Sequence, residues 1–268
     1  MKKRIISAIV ILAIVIPITL YGNMPFNIGV YVISMLCLKE FLDIKAVKKK
    51  LPIFIQLIAY IFMTLIILSD VQSKWMLFSL DYRFLSTLFM SFLIPIVFYH
   101  ETSKYSITDA FYMIGSVLFL SISMSLLIIV RNFNLYVFIF LILIPIFTDT
   151  FAYISGSLIG RHKLLEDVSP NKTIEGMLVG TLTSVFISSL YYHTAVDPML
   201  SKGYLIFICL FLSLIGQLGD LVFSAIKRYF GKKDFSDIIP GHGGILDRLD
   251  SIIFVVLGYI YFINVLGG

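Results

Sequence analysis

Two aspartates interrupt long apolar runs: Asp149 in IPIFTDTFAYI and Asp220 in LIGQLGDLVFS. A carboxylate inside an apolar span is costly to desolvate, so its presence there marks a functional site by default. The segment around Asp220 carries more. On a helix, Gln217, Asp220, Ser224, Lys227 and Arg228 fall within about 100° of one another, opposite a face of Leu, Val, Phe and Ile. Such a stripe could simply glue helices together, but this one holds both signs of charge and runs into a charged loop. Gly156 and Gly160 lie nearly below Asp149 on its own helix. They read either as a packing motif or as a thin wall beside a ligand.

Two loops add to the set. In Ser169-Pro170-Asn171-Lys172-Thr173-Ile174-Glu175-Gly176, Pro170 and Asn171 predict a turn, Thr173 or Asn171 can cap the next helix, and Glu175 opens it. In the stretch Pro240 to Asp250, three glycines surround His242 and let backbone N–H groups approach an anion. His242 itself could equally make only a structural hydrogen bond. Asp247, Asp250 and Ser251 share one face at the start of the last helix. Together these segments predict a mouth with Asp149, Glu175, Asp220, Asp247 and Asp250, beside Lys172, Lys227, Arg228 and Arg248. Carboxylates that hold Mg²⁺, bases that hold phosphates and a glycine loop fit phosphoryl or nucleotidyl transfer. The sequence has no Walker loop, kinase set or zinc spacing.

The elements that must carry these groups are membrane helices. The 268 residues are 59% hydrophobic and 14% charged, against roughly 45–50% and 25% in soluble domains. This excludes a soluble enzyme, a disordered chain and a secreted disulfide scaffold. Cys37 and Cys209 sit in apolar runs and read as buried hydrophobes. The net charge of +5 lies in short loops and predicts no nucleic-acid partner. A helix needs about 20 apolar residues to cross the hydrocarbon core. Nine segments qualify, near 5–22, 24–38, 51–68, 84–99, 110–130, 133–156, 174–192, 204–226 and 250–266. The first follows Lys2, Lys3 and Arg4 like a signal peptide, but no small-residue cleavage site follows, so it reads as a span.

With the N-terminus inside, 17 of the 21 Lys and Arg residues fall in cytoplasmic segments; the outer four are Lys74, Arg83, Arg131 and Lys202. That asymmetry predicts an all-α, polytopic protein of about nine spans, N-terminus cytoplasmic and C-terminus outside. Residues 1–132 read as ordinary spans, and residues 133–268 as the region with the chemistry. The Lys45, Lys48, Lys49, Lys50 cluster reads as an orientation signal, or as a collector of anionic lipid.

The stretch Ser224 to Asp250 resembles the signature of the phosphatidate cytidylyltransferase (CDP-diacylglycerol synthase) family. Its fixed positions are met by Ser224, Ile226, Lys227, Arg228, Lys233, Asp234, Ser236, Ile239, Pro240, His242, Gly243, Gly244, Ile245, Asp247, Arg248, Leu249 and Asp250. The likeness extends upstream through Gly219-Asp220, 169–176 and Asp149 to Tyr153 with Gly156 and Gly160. Two positions depart: Phe223 stands where many members have Glu, and Ser157 where a basic residue is common.

The resemblance implies that CTP and phosphatidate give CDP-diacylglycerol and pyrophosphate with Mg²⁺; the Lys and Arg asymmetry puts the site at the cytoplasmic side of the cell membrane. The resemblance also implies catalytic roles for Asp220, Lys227 and Asp247, with the metal on Asp220 and Asp247. Substrate or supporting roles fall to Asp149, Ser169, Asn171, Lys172, Glu175, Gln217, Ser224, Arg228, Asp234, His242, Gly243, Gly244, Arg248 and Asp250. The glycine-lined helices suggest a homodimer. The alternatives are a relative that uses CTP on another lipid phosphate, such as an archaeal ether lipid, and an ion-coupled transporter. A transporter should show matching halves with midplane sites, and none is visible.

Overall fold

Backbone polar groups that lie among apolar side chains must bond to one another, and the helix satisfies them within a single segment. The computed structural model describes residues 2–72 and 82–266, with the side chains at 2–5, 70–72 and 264–265 left aside. The order is α1 (Lys2–Tyr21), α2 (Asn23–Ala46), α3 (Ile53–Gln72), α4 (Tyr82–Tyr99), α5 (Ile107–Phe133), α6 (Leu135–Ile159), β1 (Lys163–Leu165), β2 (Ser169–Thr173), α7 (Ile174–Ala195), α8 (Lys202–Tyr229) and α9 (Leu246–Tyr259). A 3₁₀ turn (Ile260–Phe262) and α10 (Ile263–Leu266) follow. The first eight apolar segments expected from the sequence fall on α1–α8; the ninth, 250–266, is divided among α9, the 3₁₀ turn and α10. Among the described residues, six helices are long and apolar enough to cross a membrane: α2, α4, α5, α6, α7 and α8. Shorter apolar stretches, Ile6–Tyr21 and Ile53–Ser69, lie in α1 and α3. The protein is a helical membrane protein. Lys74, one of the four outer basic residues, lies outside the described residues.

Two local expectations are corrected. The segment 163–173 is an antiparallel hairpin that pairs Lys163 with Thr173 and Leu165 with Ser169. Its turn is Glu166-Asp167-Val168, so Pro170 and Asn171 lie in a strand instead of making the turn. Proline is tolerated there because the strand is an edge. Helix α2 runs past the expected end at residue 38 to Ala46. The break between α1 and α2 falls at Gly22, whose φ of 72° is open to glycine.

The chain divides into two units: residues 1–129 with 234–246, and residues 130–233 with 247–268. In the first, Cys37, Leu38 and Ile44 of α2 are buried, as are Ile55, Met63, Leu88, Phe92, Met113 and Val117 of α3–α5. Tyr112 Oη donates to the Phe41 carbonyl at 2.8 Å, and Tyr105 Oη to that of Phe92 at 3.0 Å. Asp109, 1% exposed, is ion-paired with both Lys45 and Lys49. Lys45 also lies 5.2 Å from the centre of the Tyr112 ring, a favourable cation–π distance. Two of the four clustered lysines are therefore committed within the chain.

In the second unit α6 packs along α7 through small residues. A Cβ at Gly176 would sit 2.6 Å from the Ala152 carbonyl, and one at Gly180 would sit 2.5 Å from that of Thr148. Gly156 and Gly160 face Thr173 at the start of α7. They serve close backbone approach within the chain. Phe140 meets Tyr192 edge-on at 5.0 Å. Outward positions of α7, including Leu182 and Phe186, are apolar, as lipid contact requires.

Candidate active site

Polar contacts between helices of the second unit hold the frame of the site. Thr148 of α6 and Ser213 of α8 share a hydrogen bond of 2.9 Å. Gln217 Nε2 donates to Thr181 Oγ1 of α7 at 2.7 Å, and Ser184 Oγ of α7 to the Ile144 carbonyl at 2.9 Å. The hairpin enters α7 through Thr173, whose Oγ1 accepts from Gly176 N at 3.1 Å and caps the helix. This frame brings Asp149, Asp220 and Lys172, from three elements, beside the start of α9.

Four acids and two lysines occupy that place. Lys172, on β2, is ion-paired with Asp220 Oδ2. Ser224 Oγ, one turn beyond, donates to Asp220 Oδ1 at 3.3 Å. Lys227, in the last turn of α8, donates to Asp247 Oδ1 at 2.6 Å. A cation there also suits the partial negative charge of a helix C-terminus. Ser251 ties two further acids to the cluster. Its Oγ donates to Asp149 Oδ2 at 3.5 Å, and its N–H to Asp250 Oδ1 at 2.8 Å. Asp149, Asp220 and Asp250 are near enough for their charges to act on one another, with Lys172 and Lys227 in the same field.

The other expected site residues of this unit lie around this cluster on β2, α7, α8 and α9. Glu175 accepts from the Arg161 and His162 amides, and from the His162 ring at 2.6 Å. It fixes the approach to the hairpin. Arg228 donates to the Val168 and Lys232 carbonyls, and Gln217 bridges α8 to α7. Ser169 and Asn171 lie in β2, and Arg248 is exposed on α9. Phe223, at the departed signature position, is fully buried and meets Phe254 edge-on at 6.2 Å.

Asp234, His242, Gly243 and Gly244 belong to the first unit. The loop closes through Ile239 N to Gly243 O, 2.9 Å, with Gly241 and Gly243 at φ of 80° and 85°. His242 Nδ1 lies 3.0 Å from Ser7 Oγ, which also donates to the Pro240 carbonyl. Behind the loop is a residue that the sequence reading passed over. Glu40 of α2, 0% exposed, accepts from Ser236 Oγ at 2.5 Å and from the Ile245 and Leu246 amides at 2.8 Å each. Its only sequence signal is an acid set between Leu38 and Phe41-Leu42, at the edge of an apolar run.

The profile of the cytidylyltransferase family matches residues 2–266. The chain belongs to the cytidylyltransferase family. Similar relatives include phosphatidate cytidylyltransferases of Staphylococcus haemolyticus, 36% identical over 257 residues, and of a Staphylococcus epidermidis strain, 37% identical over 257 residues. That of Staphylococcus aureus is 36% identical over 261 residues; each alignment covers 96% of both chains. This cytidylyltransferase is thus a nucleotidyltransferase enzyme, and the family generally uses a divalent metal.

The cytidylyltransferase site can be tested for such an ion. Among the described residues, no three Asp, Glu, His or Cys side chains converge tightly enough to hold a metal by themselves. Mg²⁺ commonly takes one or two carboxylates and completes its octahedron with water and substrate phosphate oxygens. Hard carboxylates, two of them balanced by lysines, fit a cation that is shared with a polyphosphate.

Proposed function

We propose that this chain condenses CTP with phosphatidate to CDP-diacylglycerol and pyrophosphate in the cell membrane, its site on the cytoplasmic face. The observation that carries the reading is the pair of Lys–Asp contacts, Lys172–Asp220 and Lys227–Asp247, set beside Asp149 and Asp250. The names and full-length similarity of the staphylococcal relatives support the substrate assignment. The distribution of Lys and Arg supports nine crossings with the N-terminus in the cytoplasm, and the concentration of Gly, acids and bases supports reading residues 133–268 as the catalytic region.

A phosphate oxygen of phosphatidate attacks the α-phosphorus of CTP, and the bond to the β-phosphate breaks to release pyrophosphate. The second pKa of a phosphate monoester is about 6, so the nucleophile is largely ionised at neutral pH and needs no strong base. The obstacle is repulsion between two polyanions. Lys172 and Lys227 supply compact positive charge for phosphate oxygens. Asp220 and Asp247 would hold Mg²⁺, with Asp149 and Asp250 adjoining; the ion supplies charge neutralisation at the CTP phosphates. Lysines that pair with these acids before substrate arrives stabilise the cluster against its own repulsion. They turn to phosphate when the nucleotide binds. The acyl chains stay in lipid, and the headgroup reaches the site sideways.

The test is turnover by purified protein in detergent across four nucleotides and several lipid phosphates, with and without divalent metal. Product from CTP and phosphatidate, dependent on metal, is the expected result. Preference for an ether-linked lipid phosphate would move the assignment to a relative in the same family. Silence across the panel would overturn the reading.

A further inference from the structure

A buried carboxylate must be matched by donors or a cation, because unmatched it carries the full cost of desolvation. Glu40 is matched by the segment that returns from the far end of the sequence. Oε1 takes Ser236 Oγ and Ile245 N, and Oε2 takes Leu246 N. Ile245 precedes α9 and Leu246 opens it, where amide groups have no acceptor within the helix and the dipole favours negative charge. The neighbouring Phe41 ring stacks on Phe235 at 5.6 Å. A Cβ at Gly244 would stand 2.6 Å from Glu40 Oε1, so the close approach of loop to carboxylate needs glycine there. One turn of α2 therefore grips both ends of 235–246, and the residue after Leu246 is Asp247.

We infer that Glu40 is a positioning residue: it anchors the glycine loop and the amides at the start of α9, and so sets the direction in which Asp247 leaves the helix. The inference rests on the proposed role of Asp247. Glu40 touches no substrate; it acts through the backbone it holds. A glutamine keeps the size of the side chain but presents an NH₂ group to one of the backbone N–H donors however it rotates.

The test compares the full-length protein with Glu40→Gln, Glu40→Asp and, as a control, Glu101→Gln, whose partner Lys104 is exposed. Two measurements are made. Hydrogen exchange of the 235–246 segment is expected to rise about fivefold or more in Glu40→Gln, with α3–α5 unchanged. In steady-state kinetics with CTP and phosphatidate, kcat is expected to fall about tenfold or more. The KM values should stay within about threefold, and half-maximal activation should need several-fold more metal. Glu40→Asp, one methylene short, should behave like Glu40→Gln, and Glu101→Gln like wild type. Unchanged exchange in Glu40→Gln would overturn the inference. So would faster exchange with an unaltered kcat and metal curve, which would leave Glu40 a purely structural anchor. If the wild type itself makes no CDP-lipid, the failure belongs to the substrate assignment, and the exchange result alone decides whether Glu40 anchors the loop.

Discussion

Lys227 Nζ lies 2.6 Å from Asp247 Oδ1 with side chains only 9% and 4% exposed, joining the last turn of α8 to the first turn of α9. Removing one partner of a buried pair leaves an uncompensated charge and costs about 3–5 kcal/mol, while replacing both can be nearly neutral. Lys227→Met and Asp247→Asn should each lower the thermal midpoint in detergent, and the double variant should recover most of that loss. All three should be almost inactive, because the pair also serves the reaction. A double variant that regains turnover together with stability would reduce the pair to a structural role.

Lys172 reaches Asp220 from the hairpin, and both stay partly accessible, at 28% and 22% exposure. This pair is open to exchange partners with a ligand. Lys172→Gln should raise the KM for CTP by about tenfold, roughly the loss of one charge-assisted contact, with a smaller change in kcat. Initial-rate kinetics over a range of CTP concentrations check this. An effect on kcat alone would place Lys172 away from the nucleotide.

The α6–α7 contact sets the height of Asp149, since Gly180 approaches the backbone of Thr148 next to it. Gly180→Ala should cost about 1–3 kcal/mol by overpacking and slow turnover as Asp149 shifts. Gly115→Ala, with nothing within 4 Å of the new Cβ, should instead gain about 0.5–1 kcal/mol from helix propensity. Thermal unfolding of the two variants side by side tests the contrast. Equal effects would mean that the α6–α7 approach is not tight.

The Glu175 contacts to 161–162 brace the hairpin that carries Lys172. Glu175→Ala should therefore mimic a mild form of Lys172→Gln, with a raised KM for CTP and proteolysis focused on 160–170. Nucleotide kinetics and limited proteolysis read both effects. A lowered kcat with an unchanged KM and unchanged proteolysis would show a different role.

The helices were legible because each needs a long apolar run, and such runs are the strongest signal a sequence carries. The α8 stripe was legible for the same reason of periodicity: Gln217, Ser224 and Lys227 do face inward. The hairpin was not, because strands of three and five residues, with Pro170 and Lys172 inside, show no alternation and resemble a capped turn. Arg228 binds backbone carbonyls here, and Glu175 binds backbone amides and the His162 ring. A charge pattern gives the type of partner and not which one is nearer. Glu40 was hidden most fully. Its partners lie some 200 positions away in sequence, and beside Lys39 it reads as part of a charged loop end.

The claim on which the account depends is that Asp220 and Asp247 hold a divalent cation together with the nucleotide. Mn²⁺ binding to the purified protein, followed by electron paramagnetic resonance with and without CTP, tests it directly. Tight binding that requires CTP is expected in the wild type and is lost in both Asp220→Asn and Asp247→Asn. Mn²⁺ binding that is the same in all three proteins would contradict it.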